Sequence, residues 1–289
     1  TYLWTPSTAL SCTTCPNPIA SPSFTTTYYV TAYTPMGICS ATDTITISVG
    51  NLNQIIITAS ATSMCSAGDT VQLDAWGVNS NCSTYTILNV PFAPVPGSGT
   101  GVVLGDDQLS SSLPIGFNFT FYCNNYSNFM ISSNGFITFE AAATNNGCCS
   151  GQLLPNVLTP NNLISFAWND LDPSSGGTIN YFTTGSAPNR KLVMNFNSVP
   201  HFSGGGPVTA QVLLYESTNI IEIHTTSMLT DGSAHTMGLE NAGGSMAHPV
   251  TGRNANATWS ASNEGIRFIP GSASANLTYT WAPVSGLSN

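Results

Sequence analysis

The sequence predicts an all-β protein built as antiparallel sandwiches, and three observations support this prediction. Gly and Pro recur every few residues, which interrupts any helical pattern. The segments between them are rich in β-branched and aromatic residues that alternate with polar ones at period two. Many of those polar residues are threonines, as in 27–33 and 43–49. Such alternation suits strands with one face on a core and the other face wetted by hydroxyl groups.

The composition excludes several classes of protein. Only 6% of residues are charged, against about a quarter in an ordinary soluble domain, so the surface is polar without being ionic. With four Lys and Arg residues and a formal net charge of −9, the chain has no basic patch for phosphates, and we predict no nucleic-acid partner. The sequence has no apolar run of about 18 residues, so we predict no membrane insertion. The eight cysteines predict disulfides and an extracellular, cell-surface location.

A motif near the start of the chain recurs near its end. Tyr2, Trp4, Pro6, Leu10 and Ser11 reappear 277 positions later as Tyr279, Trp281, Pro283, Leu287 and Ser288. Five matches at one spacing, two of them aromatic, are hard to obtain by chance. We therefore expect one period of a tandem array plus a short overlap. The expected partners are then neighbouring repeats of the same polypeptide or filament.

In chain order, three blocks precede the repeated motif. Residues 1–49 start with a Tyr-x-Trp strand, pass through a Pro-rich stretch and end in two strands separated by a turn. Residues 52–85 provide two more strands around a turn at 65–69. Residues 86–270 form a longer, Gly-rich block that is dense in strands, and 277–289 restart the first motif.

The first two blocks carry a family resemblance. Residues 65–73 read Cys-x-Ala-Gly-Asp-Thr-Val-x-Leu, residues 12–22 read Cys-Thr-x-Cys-Pro-Asn-Pro-x-Ala-x-Pro, and residues 39–47 read Cys-x-Ala-Thr-Asp-Thr-Ile-Thr-Ile. With the Tyr-x-Trp motif, these segments resemble an immunoglobulin-like, PKD-like sandwich of long surface proteins of Bacteroidota, including gliding adhesins. In that family the Cys-x-Ala-Gly-Asp half precedes the Tyr-x-Trp half.

This order implies a split domain. Residues 1–49 would be the C-terminal part of one Ig-like sandwich, and 52–85 plus 277–289 would be the N-terminal part and third strand of the next. The block 86–270 would then be inserted into one loop of the second sandwich.

The inserted block resembles a different family. Residues 113–122 read Leu-Pro-Ile-Gly-Phe-Asn-Phe-Thr-Phe-Tyr, residues 131–139 read Ile-Ser-Ser-Asn-Gly-Phe-Ile-Thr-Phe, and residues 164–170 read Ile-Ser-Phe-Ala-Trp-Asn-Asp. These segments are similar to the extracellular nidogen-like domain, which implies a β-rich interaction module without known catalysis. We therefore predict that the chain is not an enzyme. Cys123 stands where a small Gly is more usual in that family, which implies an added disulfide.

The cysteines predict a disulfide framework rather than a metal site, because no second Cys pair lies at zinc spacing from Cys12 and Cys15. Cys148 and Cys149 are adjacent and could bond to each other, but we expect them to have separate partners. The expected pairs are Cys12–Cys15, Cys123–Cys148 and Cys82–Cys149, with Cys39 and Cys65 bonded to neighbouring repeats.

Two aspartates are candidate metal ligands. Asp170 and Asp172 offer hard oxygen ligands in a Gly-containing loop, and Asp106 and Asp107 could add more. Calcium takes six to eight such oxygens, so it is the cofactor that this set would hold. The alternative is that these are turn carboxylates that accept local backbone N–H bonds.

Glu222 and His224 lie two apart on an expected strand, so their side chains face the same way. Such a pair can act in acid–base catalysis, but no nucleophile or oxyanion motif accompanies it, and a surface pair is the preferred interpretation. The other histidines, His201, His235 and His248, are scattered between glycines without ligand spacing.

Surface glycans are the other candidate partners. Trp168, Phe202 and Trp259 could stack on sugars, although aromatic residues of this kind are more often part of a core. Asp43-Thr44-Ile45 and Asp69-Thr70-Val71 resemble the acceptor used for O-glycosylation in Bacteroidota. Thr44 and Thr70 are therefore candidate O-linked sites.

The function that the sequence predicts is a structural repeat module of a long extracellular fibre or adhesin. Such a module would mediate surface attachment, for example in gliding motility or in a biofilm. The alternative is a calcium- or glycan-binding module that acts through loops of the inserted domain.

Overall fold

The computed structural model describes residues 1–22, 26–35, 39–47, 52–59, 70, 73–79, 82–140 and 148–271. Within these ranges every regular element is a β-strand, and every strand pairing is antiparallel, so the all-β prediction is confirmed. The strands are β1 Tyr2–Thr5, β2 Thr26–Tyr33, β3 Ser40–Ile47, β4 Leu52–Ala59, β5 Leu73–Asn79, β6 Tyr85–Val90, β7 Thr100–Val102, β8 Leu113–Phe121, β9 Asn124–Ser132, β10 Phe136–Thr138, β11 Leu163–Trp168, β12 Thr178–Thr184, β13 Lys191–Val199, β14 Val208–Tyr215, β15 Ile221–Met228, β16 Thr236–Glu240, β17 Ala247–Pro249 and β18 Ala261–Pro270.

These strands form four sheets. A three-stranded sheet has the order β1-β2-β3, and a two-stranded sheet pairs β4 with β5. A six-stranded sheet has the order β17-β16-β11-β10-β9-β8, and a seven-stranded sheet has the order β6-β18-β15-β14-β13-β12-β7. The six-stranded and seven-stranded sheets are together called the sandwich below.

The three-stranded sheet is built from the Thr-rich alternating segments. Tyr28 on β2 is only 1% exposed, and its hydroxyl donates to the carbonyl of Thr8 at 2.9 Å. The indole Nε1 of Trp4 on β1 donates to the carbonyl of Cys15 at 3.0 Å. These two bonds hold the Pro-rich loop against the sheet, since both acceptors belong to that loop.

The core of the sandwich lies between its two large sheets. Phe166 on β11 meets Phe196 on β13 edge to face, with ring centroids 4.9 Å apart. Phe129 on β9 meets Tyr181 on β12 in the same manner at 5.7 Å. Each pair joins one sheet to the other, because β9 and β11 belong to the six-stranded sheet and β12 and β13 to the seven-stranded one. Edge-to-face contact of this kind adds to the stabilisation from burial itself.

The outer face of the six-stranded sheet is also covered. Trp168 and Phe136 are fully buried there, with ring centroids 5.1 Å apart, and they form a second apolar cluster with Leu154 and Leu163. Leu154 belongs to the segment that precedes β11. This cover explains why all six residues of β11 are buried, a pattern typical of a strand with both faces occupied.

An extended segment covers the outer face of the seven-stranded sheet. This strap, residues 91–99, is held at Val95, whose N–H donates to Gln211 Oε1 at 2.7 Å and whose carbonyl accepts from Gln211 Nε2 at 2.9 Å. The N–H of Ala93 donates to His224 Nδ1 at 3.4 Å. As a result His224 and its neighbour Glu222 are 2% and 3% exposed. The interpretation of Glu222 and His224 as a surface pair is therefore wrong.

The disulfides differ from the expected pairs. Cys12 is joined to Cys15, as expected. Cys82 is joined to Cys123 and Cys148 to Cys149, so the expected pairs Cys123–Cys148 and Cys82–Cys149 are wrong. Cys82 precedes β6 and Cys123 lies in the turn between β8 and β9, where their Cα atoms are 4.9 Å apart, within bonding range. Cys39 is exposed and unbonded, and Cys65 lies outside the described residues.

The chain enters and leaves the sandwich at one place. Strand β6, the first of the sandwich, pairs with β18, the last, from Tyr85↔Pro270 onwards. The N–H of Gly271 donates to the carbonyl of Thr84 at 2.7 Å. Adjacent ends are the geometry that insertion into a loop requires. Strand β6 begins at Tyr85, one residue before position 86, where the inserted block was expected to begin. The expected pairing of 52–85 with 277–289 falls partly outside the described residues and stays a prediction.

Candidate functional site

Five aspartates gather at one end of the sandwich, where loops from distant parts of the sequence meet. They are Asp106 and Asp107 between β7 and β8, Asp170 and Asp172 after β11, and Asp231 between β15 and β16. Carboxylate oxygens of Asp106, Asp107 and Asp170 lie within 4.8 Å of one another. Asp172 and Asp231 are close enough for their charges to raise the pKa of Asp170. We call these five residues the acidic edge.

A buried asparagine joins two of these loops. Asn134, in the tight turn between β9 and β10, donates from Nδ2 to Asp107 Oδ1 at 2.8 Å. Its Oδ1 accepts from the N–H of Leu171 at 3.1 Å. The next residue, Gly135, has a φ of +77°, and a Cβ there would lie 2.5 Å from the carbonyl oxygen of Ala167, so only glycine fits this turn. Asn134 lies in the Ser-Asn-Gly motif of residues 131–139, but the sequence did not indicate that it connects these loops.

The carboxylates of the acidic edge repel one another. Burial and then, in decreasing order, the charges of Asp106, Asp107, Asp231 and Asp172 together raise the pKa of Asp170 to about 6. Asp106 Oδ1 is shielded from solvent and has no hydrogen-bond partner among the described residues. At neutral pH Asp170 is therefore ionised although burial and the neighbouring carboxylates disfavour its negative charge. A bound cation would stabilise that charge.

No Lys or Arg compensates this charge within the described residues, which include all four of them. Arg190 pairs with Glu216, Arg253 with Glu264 and Arg267 with Glu222, while the Lys191 Nζ lies 4.6 Å from the ring centroid of Tyr215. The acidic edge therefore keeps an excess of negative charge.

The two expected calcium ligands differ in their environments. Asp170 faces the other carboxylates, whereas Asp172 is held by its own turn. Asp172 Oδ1 accepts from the N–H of Ser174 at 2.9 Å, and its other oxygen accepts from the Ser175 hydroxyl. The hydroxyls of Ser174 and Ser175 lower the pKa of Asp172. The set brought together for a hard cation is therefore Asp106, Asp107 and Asp170, and its all-oxygen chemistry fits calcium.

The candidate sugar-stacking and glycosylation residues differ in their exposure to solvent. Trp168 is fully buried and Trp259 is 8% exposed, so neither presents a face to a sugar. Phe202 is 61% exposed, and its N–H donates to the carbonyl of Asp170 at 2.9 Å, which places an open aromatic ring beside the acidic edge. Thr44 on β3 and Thr70 are both exposed.

The geometry defines a class of protein. A β-sandwich with a disulfide between segments distant in sequence, few charges and polar loops at one end is typical of extracellular domains. The part of the chain that the structure describes contains no helix of the length and apolar character needed to cross a bilayer.

A comparison with protein families is more specific. Residues 82–283 match the family model described as NIDO related. Because this match covers more than half of the 289 residues, the chain belongs to the NIDO-related family. The nidogen-like domain that the motifs implied is thereby confirmed, and it fits an extracellular protein. No match was found among the curated proteins or among the solved structures.

Proposed function

We propose that this chain is a repeat module of a long extracellular fibre or adhesin that mediates surface attachment. The observation that carries the proposal is the motif Tyr-x-Trp-x-Pro, which recurs 277 residues after its first copy. The NIDO-related match, residues 82–283, begins between the two copies and extends into the second. The adjacent ends of the sandwich, at Thr84 and Gly271, support this arrangement. Ig-like repeats would form the thread, and the sandwich would project from it with its acidic edge available for contact.

Attachment can be tested with beads that carry the folded chain. We expect these beads to stay bound under flow to glycan-coated or cell-coated surfaces, where beads carrying reduced, unfolded chain wash off. The variant Phe202→Ser, which removes the exposed ring beside Asp170, should lower retention. The variant Ile19→Ser is the matched control, because Ile19 is also exposed, at 75%, but precedes β2 in the three-stranded sheet. Equal retention of folded and unfolded chain would refute an adhesive role.

A second function, calcium binding at the acidic edge, is favoured by one specific observation. Three carboxylates lie together, and the oxygen Asp106 Oδ1 is shielded without a partner. A calcium ion would satisfy that oxygen and offset the charge that raises the pKa of Asp170. Calcium held there could also bridge to the hydroxyl groups of a glycan stacked on Phe202.

Calcium is expected to stabilise the protein. At about 100 times its Kd, a ligand that binds only the folded state adds about 2.7 kcal/mol, or roughly 5–10 °C in Tm for a domain of this size. In Asp170→Asn we expect this gain to disappear. In chelator at pH 7 the same variant should melt higher than wild type, because it removes an ionised carboxylate from among four others. The variant Asp43→Asn, on β3, is the control and should keep the calcium response.

The pH dependence in chelator provides a further check on this site. The pKa of Asp170 is raised to about 6 from an ordinary value of 3.8, so the folded state holds a proton that the unfolded state has released. The stability that protonated Asp170 contributes to the folded state is therefore present at low pH and is lost as the pH rises from about 4 to about 6. A calcium response in Asp170→Asn equal to that of wild type would contradict the site.

A further inference from the structure

Two histidines converge on Asp231, one of the five residues of the acidic edge. His201 follows β13, while Asp231 and His235 lie at the start and end of the connection between β15 and β16. His201 Nδ1 lies 3.7 Å from Asp231 Oδ2, and His235 Nε2 lies 3.8 Å from Asp231 Oδ1. One ligating atom from each residue lies within 4.8 Å of the other two. The sequence spacing of these histidines gave no sign of this arrangement.

The second nitrogen of each ring is held by a backbone carbonyl. His201 Nε2 lies 3.1 Å from the carbonyl oxygen of Leu229, and His235 Nδ1 lies 2.6 Å from that of Ser233. A carbonyl only accepts hydrogen bonds, so these nitrogens carry the ring protons. His201 Nδ1 and His235 Nε2 are then the unprotonated nitrogens that face Asp231. Metal-binding histidines are typically oriented in this way, by donating the other N–H to a carbonyl or carboxylate.

Two polar atoms indicate that positive charge is favourable at this point. His201 is 4% exposed, and its Nδ1 has no hydrogen-bond partner among the described residues. An unprotonated nitrogen that faces a carboxylate is a repulsive arrangement unless a cation lies between them. The amide Nδ2 of Asn169 lies 2.8 Å from both ring nitrogens of His235 and 3.2 Å from Asp231 Oδ1; of the two ring nitrogens, only Nε2 is free to accept its hydrogen bond, because Nδ1 donates to Ser233. His235 Nε2 and Asp231 Oδ1 thus already share the partially positive amide group of Asn169. A bound ion would displace this amide by rotation of the Asn169 side chain.

Protonation states agree with this picture. Burial lowers the pKa of His201 and of His235, so both rings are neutral at pH 7 and keep a lone pair. Burial acts to raise the pKa of Asp231, but hydrogen bonds from Ser233 and Ser203 lower it overall. Those hydroxyls donate to Asp231 at 2.6 and 2.8 Å. One anion and two neutral imidazoles are a ligand set for a divalent transition metal.

The distances suit a small tetrahedral ion. Zinc with bonds of about 2.1 Å places its ligands about 3.4 Å apart, so the two His–Asp separations of 3.7 and 3.8 Å need to shrink by only a few tenths of an ångström. The ligating nitrogens of the two histidines lie within 4.8 Å of each other. We propose that His201, Asp231 and His235 bind a zinc-class divalent transition metal that ties together the loops after β13 and β15. The three side chains are only 0–2% exposed, so the bound ion would be shielded from bulk solvent, with its fourth position left for a water molecule. This site shares Asp231 with the acidic edge but uses none of the three proposed calcium ligands, Asp106, Asp107 and Asp170.

Metal titration tests the proposal. The metal-free protein, carrying Cys39→Ser and Cys65→Ser so that neither position offers a thiol, is titrated with Zn²⁺ and with Co²⁺. We expect zinc to raise Tm and cobalt to give the absorption spectrum of a tetrahedral site with nitrogen and oxygen ligands. Cobalt should also quench Trp259, whose ring centroid lies 5.8 Å from that of His235. A protein that takes up neither metal would overturn the proposal, whatever the variants do.

Variants separate this site from the acidic edge. His201→Gln with His235→Gln should abolish the zinc shift and the cobalt spectrum. Ser203→Ala, which removes one hydrogen bond to Asp231, should weaken zinc binding by about 10–100-fold. Asp170→Asn should keep the zinc response and lose only the calcium response. If the double histidine variant binds zinc as tightly as its parent, the assignment of ligands is wrong.

Discussion

Replacing Glu222 with leucine is expected to lower the free energy of unfolding by about 3–5 kcal/mol, because it leaves a buried charge without its partner. Glu222 on β15 lies directly opposite Arg267 on β18, and Arg267 Nε donates to Glu222 Oε1 at 2.6 Å. Tyr215 and His224 also bond to Glu222 Oε2, at 2.6 and 3.1 Å. All of these groups lose their common acceptor in the variant. Urea unfolding followed by tryptophan fluorescence measures the loss.

A double variant distinguishes a lost charge partner from lost packing. Glu222→Leu with Arg267→Leu should recover most of the stability, since no uncompensated charge is then buried. Glu264→Leu is the matched control, because its side chain is 28% exposed and its pair with Arg253 is closer to solvent. We expect that control to cost about 1 kcal/mol or less. If the double variant is no more stable than Glu222→Leu alone, the charge explanation fails.

This network also has a pH signature. Burial acts to raise the pKa of Glu222, but the hydrogen bond from His224, the charge of Arg267 and the Tyr215 hydroxyl lower it to about 2. Because the folded pKa lies below the ordinary value of 4.5, the stability contributed by Glu222 is present above pH 4.5. It is lost as the pH falls towards 2. Acid unfolding of wild type should therefore be steeper in this range than that of the double leucine variant.

Removing the Cys82–Cys123 disulfide is expected to destabilise the sandwich by about 4 kcal/mol. The bond joins residues 41 apart in sequence, and a crosslink of that span strongly restricts the unfolded chain. The double variant Cys82→Ser, Cys123→Ser should shift the urea midpoint accordingly under non-reducing conditions.

The vicinal disulfide offers an internal control. Cys148 and Cys149 are adjacent, so their bond closes almost no loop and restricts little of the unfolded chain. Cys148→Ser with Cys149→Ser should therefore cost much less than the loss of Cys82–Cys123. If both double variants lose equal stability, loop closure does not explain the effect.

Local patterns in the sequence were enough to predict the strands. In β8 the alternation of Ile115, Phe117, Phe119 and Phe121 with exposed or half-buried positions is the period-two pattern of a strand with one face on the core. The same reasoning correctly placed Glu222 and His224 on one face of a strand. It did not predict their burial, because the strap that covers them is an extended segment whose sequence has no periodic pattern of apolar residues.

The contacts between distant segments could not be read from the sequence. Cys123 lies in the β8–β9 turn, and its bond to Cys82 depends on where β6 approaches that turn. The acidic edge combines loops more than 60 residues apart, such as those of Asp106 and Asp170, and the site of His201, Asp231 and His235 combines the loops after β13 and β15. Motif spacing detects ligands that share one loop or one helix face. Here the two sheets bring the ligands together, so only the folded topology reveals them.

The pairing of the first and last strands has a mechanical consequence. Since Thr84 and Gly271 lie side by side, a pull on the two flanking chains would act across β6 and β18 at their shared end. It would open the Tyr85↔Pro270 pair first and then unzip the ladder rung by rung, which requires far less force than sliding two strands in shear. The Cys82–Cys123 bond would divert part of that load to the β8–β9 hairpin. In a fibre, such a domain would lengthen under tension and dissipate mechanical energy as its end strands separate.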